Sequence, residues 1–341
     1  MTLNQKKSIR KQLYLYGVIE MEKLDNKVSL ELTKNIEMRY GENPHQNAAY
    51  FVETDNSGVH NFFTEGKLHG KELSYNNIAD ISGALRILAD LNDESCVAVK
   101  HSNPCGAATR DSVYESFKAT YEGDSMSIFG GIVAMKGIVK EDTAELLSKI
   151  FLEIIIAEKF TEGAFEILSK KKNIRLMEYA KWKDLIFNEK ACEVKHVLGG
   201  YLIQERDVLS PMTEEYKQIT EKAATDAELE DMKFAQTIVK NVKSNAIVVV
   251  KDKMLLGVGA GQMNRVTSAR IALDWAGEKA KGAVIGSDAF FPMDDTVRLA
   301  AERGITAIAQ PGGSVRDEDS INACNELGVA MYFTGNRHFY H

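Results

Sequence analysis

With 341 residues the chain is long enough for two domains or one large one, and 44% apolar residues allow each half a core of its own. A formal net charge of −7 without a dense basic block argues against nucleic acid as a partner, while leaving local anion sites open. No apolar run approaches a membrane span, and Met1–Lys11 carries lysines with no apolar core behind them, so neither membrane association nor a signal peptide is expected.

Cys96, Cys105, Cys192 and Cys324 are widely spaced. Without a C-x-x-C pair they support neither a zinc ribbon nor a thioredoxin-like site, and few unpatterned cysteines fit a reducing cytoplasm. Residues 1–36 are mixed: Ser8–Tyr16 has the pattern of a basic, partly amphipathic helix and Val28–Leu32 is a short apolar segment. They read as an extension on the main body. Glu37–Gln46 is a loop marked by Gly41, Asn43 and Pro44. Its Arg39 has the forked donors that suit a phosphate, although a surface arginine beside a turn is the more ordinary reading.

A polar loop, Leu68–Asn77, precedes a helix with Ile78, Ile81, Leu85, Leu88 and Leu91 on one face, capped by Asn76 or Asn77. The apolar run Val97–Val99 then reads as a buried strand that ends in Lys100-His101, with Asn103-Pro104 and Gly106 forcing a turn. In open α/β sheets, ligands bind at such strand ends. His101 titrates nearest neutrality by type, and the adjacent Lys100 can stabilise negative charge or hold a phosphate. The ordinary alternative is a lysine facing water and a histidine capping a turn.

Ala107–Tyr121 reads as helix. Gly130-Gly131, before the run Ile132–Met135, either admit a ligand to the backbone or make a tight bend. A helix over Lys140–Lys149 leads to a strand over Phe151–Ala157. There Glu153 is a site candidate, because a carboxylate in a buried strand is costly unless paired. A helix over Glu162–Lys170, strand pieces at Asn173–Met177 and Val197–Gln204, and a long helix over Thr213–Lys240 follow, with a domain boundary near residue 215.

The second half opens on Lys243-Ser244-Asn245-Ala246, a strand to Lys251, and a turn at Lys251-Asp252-Lys253 into Leu255–Val258. Gly257-Val258-Gly259-Ala260-Gly261 opens a helix to about Lys279. This is not the spaced dinucleotide fingerprint, but a glycine loop at a helix start offers N–H donors to an anion. After the strand Ala283–Gly286, Phe290-Phe291-Pro292 is either a platform for a flat ring or a core plug. Helix Val297–Arg303, strand Ile305–Ala309, helix Ser320–Leu327 and strand Val329–Phe333 complete the alternation, and Arg337 is a second candidate for a phosphate. Alternating helices and buried strands in both halves argue for α/β layers, and the polar clusters beside the best strand of each half, Lys100-His101 ending one and Ser244-Asn245 opening the other, hint at a duplication.

Six of these motifs stand in one order: Arg39–Gln46, Lys100–Gly106, Ser127–Gly131, Lys243–Ala246, Gly259–Arg265 and Ser287–Pro292. From about Glu37 to His341 the chain thereby resembles the formyltransferase part of the AICAR transformylase/IMP cyclohydrolase family. The resemblance implies two tandem cytidine-deaminase-like three-layer α/β/α domains, here residues 37–215 and 216–341 after the extension 1–36. It also implies a homodimer with active sites at its interface; the cysteine usage sets the expectation of a cytoplasmic location. The implied reaction moves the formyl group of 10-formyltetrahydrofolate to the 5-amino group of AICAR, giving FAICAR and tetrahydrofolate. A requirement for a monovalent cation is left open.

Carried over by motif, Lys100, His101 and Asn245 match catalytic positions. Arg39, Tyr40, Gly130, Arg265, Phe290 and Arg337 match nucleotide-binding positions, and Met126 and Asp295 match positions near the folate. Glu153 stands where many relatives have an aspartate that contacts the nucleotide. The family's cyclohydrolase domain, about two hundred residues, belongs before Arg39, where 38 residues stand. Formyl transfer without ring closure is therefore expected, with a separate cyclohydrolase downstream. The rivals are a zinc nucleobase deaminase, for which Pro104-Cys105 lacks the second cysteine and no H-x-E exists; a nucleotide-binding regulator without turnover; and an enzyme using another formyl donor. No zinc is expected.

Overall fold

The structure, a computed structural model, describes residues 28–53, 61–187 and 192–341. The expected helix Ser8–Tyr16 lies outside these. The strands in chain order are β1 (Leu32–Met38), β2 (Ala48–Glu53), β3 (Lys67–His69), β4 (Cys96–Lys100), β5 (Asn103–Ala108), β6 (Ile132–Val139), β7 (Ile154–Phe160) and β8 (Arg175–Glu178). They continue with β9 (Cys192–Val197), β10 (Gly200–Glu205), β11 (Lys217–Gln218), β12 (Ile247–Lys251), β13 (Met254–Gly259), β14 (Val284–Ser287), β15 (Ala307–Gln310) and β16 (Ala330–Phe333). β1–β2 and β9–β10 are separate hairpins, and β1 runs across the expected boundary at residue 36.

The other twelve strands form one mixed sheet in the order β11-β16-β15-β14-β12-β13-β5-β4-β6-β7-β8-β3. The two halves repeat one sequence of elements. In the first, helix Tyr75–Asp90 precedes hairpin β4–β5, and helices Val113–Gly123, Glu141–Ser148 and Glu162–Ser169 alternate with β6, β7 and β8. In the second, helix Asp226–Val239 precedes hairpin β12–β13, and helices Arg265–Ala276, Asp295–Glu302 and Asp317–Leu327 alternate with β14, β15 and β16. The halves join where β13 pairs with β5 at Met254 and Ala108. The duplication hinted at by the polar clusters is thus present in the order of elements.

Side-chain alternation explains the layers. Val97 and Val99 point to one face and Cys96 and Ala98 to the other, and all are buried. Val248 and Val250 likewise oppose Ile247 and Val249. Strands covered on both faces need apolar residues at every position, which is why they read as continuous runs. Helices Tyr75–Asp90 and Asp226–Val239 share one continuous core on the first face. The three later helices of each half build a separate core for that half on the second.

Four expectations are corrected. The turn after Lys100 is His101-Ser102; Asn103-Pro104 already belong to β5. Pro104 sits at a register irregularity opposite Val99, where a strand tolerates a residue without an N–H. Ala107 and Ala108 are therefore strand, and the next helix starts at Val113, where the Ser112 hydroxyl accepts from Glu115 N–H at 3.2 Å. The long helix expected over Thr213–Lys240 is only Asp226–Val239, because Thr225 and Glu228 form a capping box that fixes its start. Strand β7 begins at Ile154, so Glu153 stands before the strand and not within it.

Candidate functional site

Strand direction brings the motifs together. β4 runs antiparallel to both β5 and β6, and β6, β7 and β8 are parallel. β13 runs antiparallel to β5 and β12, and β14, antiparallel to β12, is parallel to β15 and β16. One edge of the sheet therefore collects the end of β4 (Lys100-His101) and the starts of β6 (Gly130-Gly131), β7 (Glu153) and β12 (Asn245). It also collects the ends of β13 (the loop to Arg265), β14 (Asp288–Phe290) and β16 (the tail to Arg337). The loop after Tyr40 joins the same edge, since Asn76 Nδ2 donates to the Glu42 carbonyl at 3.3 Å at the start of helix Tyr75–Asp90.

The first half contributes a cluster around Lys100. Its Nζ donates to the Phe129 carbonyl at 2.8 Å, beside Gly130, whose φ of +72° is accessible to glycine and whose N–H donates to Phe151 O at 2.8 Å. Glu153 receives Asn77 Nδ2 at 3.0 Å and faces Arg175 at 3.7 Å. The carboxylate is thus paired, and half-exposed. His101 is exposed with φ at 54°, and Ser102 follows at 59°. Two successive left-handed residues make the two-residue hairpin turn of type I′. Without glycine this costs about 1–2 kcal/mol per residue. Met126, 73% exposed, follows Asp124, whose carboxylate accepts from Met126 N–H at 3.1 Å.

The second half contributes a cluster around Arg265. This guanidinium is buried, paired with the buried Asp288 carboxylate, and donates to Ser287 Oγ at 3.0 Å and Asn245 Oδ1 at 2.7 Å. Asn245 Nδ2 donates to Gln262 O at 2.8 Å, so both ends of the amide are fixed. Ser244 Oγ donates to Asp288 Oδ2 at 2.6 Å. Arg265 thus orients Asn245 and does not face solvent. Of the aromatic pair, Phe291 is the core plug, while Phe290 keeps 37% of its surface open at the edge. Arg337 is exposed over the Phe339 ring at 4.4 Å, and Arg39 is exposed over the Tyr40 ring at 5.7 Å. Asp295 opens helix Asp295–Glu302, its carboxylate accepting from Thr296 N–H at 2.7 Å.

The glycine loop is mostly a packing device. A Cβ on Gly257 would lie 2.0 Å from Ala272 O, and one on Gly259 would lie 1.9 Å from Ser268 O. Both therefore let helix Arg265–Ala276 close onto β13. Cys105, near the edge, has its thiol pushed up to about 12 by burial, which keeps it protonated and a poor nucleophile. A cavity of about 190 Å³ opens between β5 and β13, walled by Pro104, Cys105, Leu256, Val258 and Trp275. Among the described residues, no group of three or more His, Cys, Asp or Glu side chains is placed to hold a metal ion.

The two clusters do not touch. β5 and β13 lie between β4 and β12, so three strand spacings, at least about 14 Å, separate Lys100 from Asn245. Two features were invisible beforehand. Asp80 accepts from the Ser102 N–H at 2.7 Å, and the buried His338 bonds Asp207 at 2.6 Å behind Arg337. Neither lies in a recognisable motif, and both depend on contacts distant in sequence.

The profile of the AICARFT/IMPCHase bienzyme family matches residues 5–275. The bifunctional purine biosynthesis protein PurH of Listeria monocytogenes serotype 4b (strain CLIP80459) is 52% identical over 321 residues, which cover 94% of this chain and 62% of that protein. Those of Anoxybacillus flavithermus and Acetivibrio thermocellus are 50% and 48% identical, each over 96% of this chain and 63% of theirs. The chain thus spans a little under two thirds of the length of the curated relatives it matches. With the profile matched over most of its length and the motif residues gathered on one sheet edge, the chain belongs to the AICARFT/IMPCHase bienzyme family.

Proposed function

We propose that this chain is an AICAR formyltransferase of purine biosynthesis, taking its formyl group from 10-formyltetrahydrofolate. The observation that carries the proposal is the gathering of Lys100-His101, Gly130, Glu153, Asn245, Phe290 and Arg337 on one edge of a continuous sheet. Family membership names the reaction, and the residue types suit it. The lone pair of the AICAR amine is drawn into the ring and carboxamide, so the amine is a poor nucleophile. His101 takes its proton as nitrogen attacks the formyl carbon, a role worth roughly a hundredfold or more. The tetrahedral oxyanion is stabilised by Lys100, which keeps donors free beyond the one given to Phe129 O, and by the second N–H of the Asn245 amide. Cleavage of the bond to the folate nitrogen then needs a proton, returned from His101 or water.

Arg39 and Arg337, both exposed, hold the 5′-phosphate, and Phe290 flanks a ring. Tyr40, Gly130 and Glu153 complete the nucleotide site, Arg265 acts through Asn245, and Met126 and Asp295 lie towards the folate. The repeated order of elements supports two tandem cytidine-deaminase-like domains divided near residue 215. The gap between the clusters, with Met126, Phe129, Phe151, Met263 and Met293 exposed along the edge, supports a homodimer whose second copy completes each site.

The test is steady-state turnover of AICAR with 10-formyltetrahydrofolate, with and without an added monovalent cation. Tetrahydrofolate release is followed, and FAICAR is separated from IMP. Tetrahydrofolate release with formation of FAICAR is expected. AICAR binding without turnover would replace the proposal by a regulator or by another formyl donor.

A further inference from the structure

The two halves secure their hairpin turns in the same way. Each places a carboxylate at the sixth residue of its first helix, Asp80 in Tyr75–Asp90 and Asp231 in Asp226–Val239. Asp231 accepts from Asp252 N–H at 2.8 Å and Lys253 N–H at 2.5 Å. Asp80 accepts from Ser102 N–H at 2.7 Å and from the Ser102 hydroxyl at 3.3 Å. All four turn residues, His101, Ser102, Asp252 and Lys253, have φ between 48° and 59°, and none is glycine. The duplication puts the turns on opposite edges. The Asp252-Lys253 turn lies away from the motifs and packs on Arg110, whose guanidinium donates to Asp252 O at 2.5 Å. Only the Asp80 copy clamps a turn that carries a histidine on the motif edge.

We propose that Asp80 is the positioning residue for His101, acting through the Ser102 N–H to hold a left-handed turn that its own residues disfavour. Asn103 is the second anchor, its Nδ2 donating to His101 O at 3.0 Å. Without the carboxylate acceptor the turn relaxes towards ordinary backbone, and the imidazole loses its aim while substrate contacts from Arg39 and Arg337 remain. Misplacement by about 1 Å can cost a hundredfold in rate. The proposal rests on the catalytic reading of His101, and it concerns an acceptor, not a charge.

Four variants test it, each followed by kinetics and by hydrogen exchange of the peptide spanning the turn. Asp80→Ala is expected to lower kcat by about ten- to a hundredfold with KM for AICAR within about threefold, and to speed exchange at Ser102. Asp80→Asn keeps an acceptor oxygen and is expected to retain at least about a third of kcat. Asp231→Ala removes the other clamp and is expected to lower the melting temperature with kcat unchanged. His101→Ala separates the two readings: if it turns over normally, the catalytic reading falls, and the clamp is then judged by exchange alone. Unchanged exchange in Asp80→Ala, an unchanged kcat in it while His101→Ala is inactive, or an Asp80→Asn variant as impaired as Asp80→Ala would overturn the proposal.

Discussion

His338 shows how a buried charge supports the edge. Burial alone would lower its pKa, but the hydrogen bond to Asp207 and the nearby Glu214 carboxylate raise it to about 9. The ion pairs tie the segment behind Arg337 to the loop after β10. A pKa raised from about 6.5 contributes stability that is full below the unfolded value and fades as pH rises through the folded one. The contribution reaches about 3 kcal/mol. Melting curves of the parent and of His338→Asn should therefore differ most near pH 6 and converge above pH 9. At the same scale, His101→Ala should lower turnover by about two to four orders of magnitude with AICAR affinity nearly kept, as measured by kcat and direct titration. Residue types singled out Lys100 and His101 as candidates. They did not announce His338, whose partners lie more than a hundred positions away.

Among elements, β13 and the helix that follows it are coupled by backbone proximity. Gly259 packs against the Ser268 carbonyl, so Gly259→Ala must push the helix off the strand. A loss of about 1–3 kcal/mol or more is expected in chemical denaturation. Because Ser268 Oγ also donates to Asn245 O at 3.2 Å, kcat should fall with stability. The glycine spacing was legible, but its purpose was not, since a ligand loop and a close helix demand the same residue. The helix at Asp226 was misread for the converse reason. Its apolar face is clear, but the preceding polar stretch carries no periodicity, and only the Thr225–Glu228 box marks the start. Pro104 misled through its usual turn preference, which a bulge in β5 overrides.

For the whole molecule, the separation of the two clusters leads to a complementation test. His101→Ala and Asn245→Ala should each be inactive, and mixing them under exchange of subunits should restore roughly a quarter of parent activity if each site takes one cluster from each copy of a two-fold dimer. No recovery would mean that each chain completes its own site. The junction that sets this separation is the pairing of β5 with β13, which no local pattern foretells.

The sequence by itself determined most of the buried strands, because residues covered on both faces must be apolar at every position, but not β5, whose asparagine, proline and glycine read as a turn. It also determined which polar residues interrupt those segments at their ends, and through six ordered motifs it pointed to the family. Only the tertiary structure decided that those ends share one edge, that Asp80 and Asp231 are the same clamp used twice, and that Arg265 pairs inwardly with Asp288. Strand direction, register and burial of a charge are set by partners remote in the chain. Periodicity reports only how a segment meets its immediate surroundings.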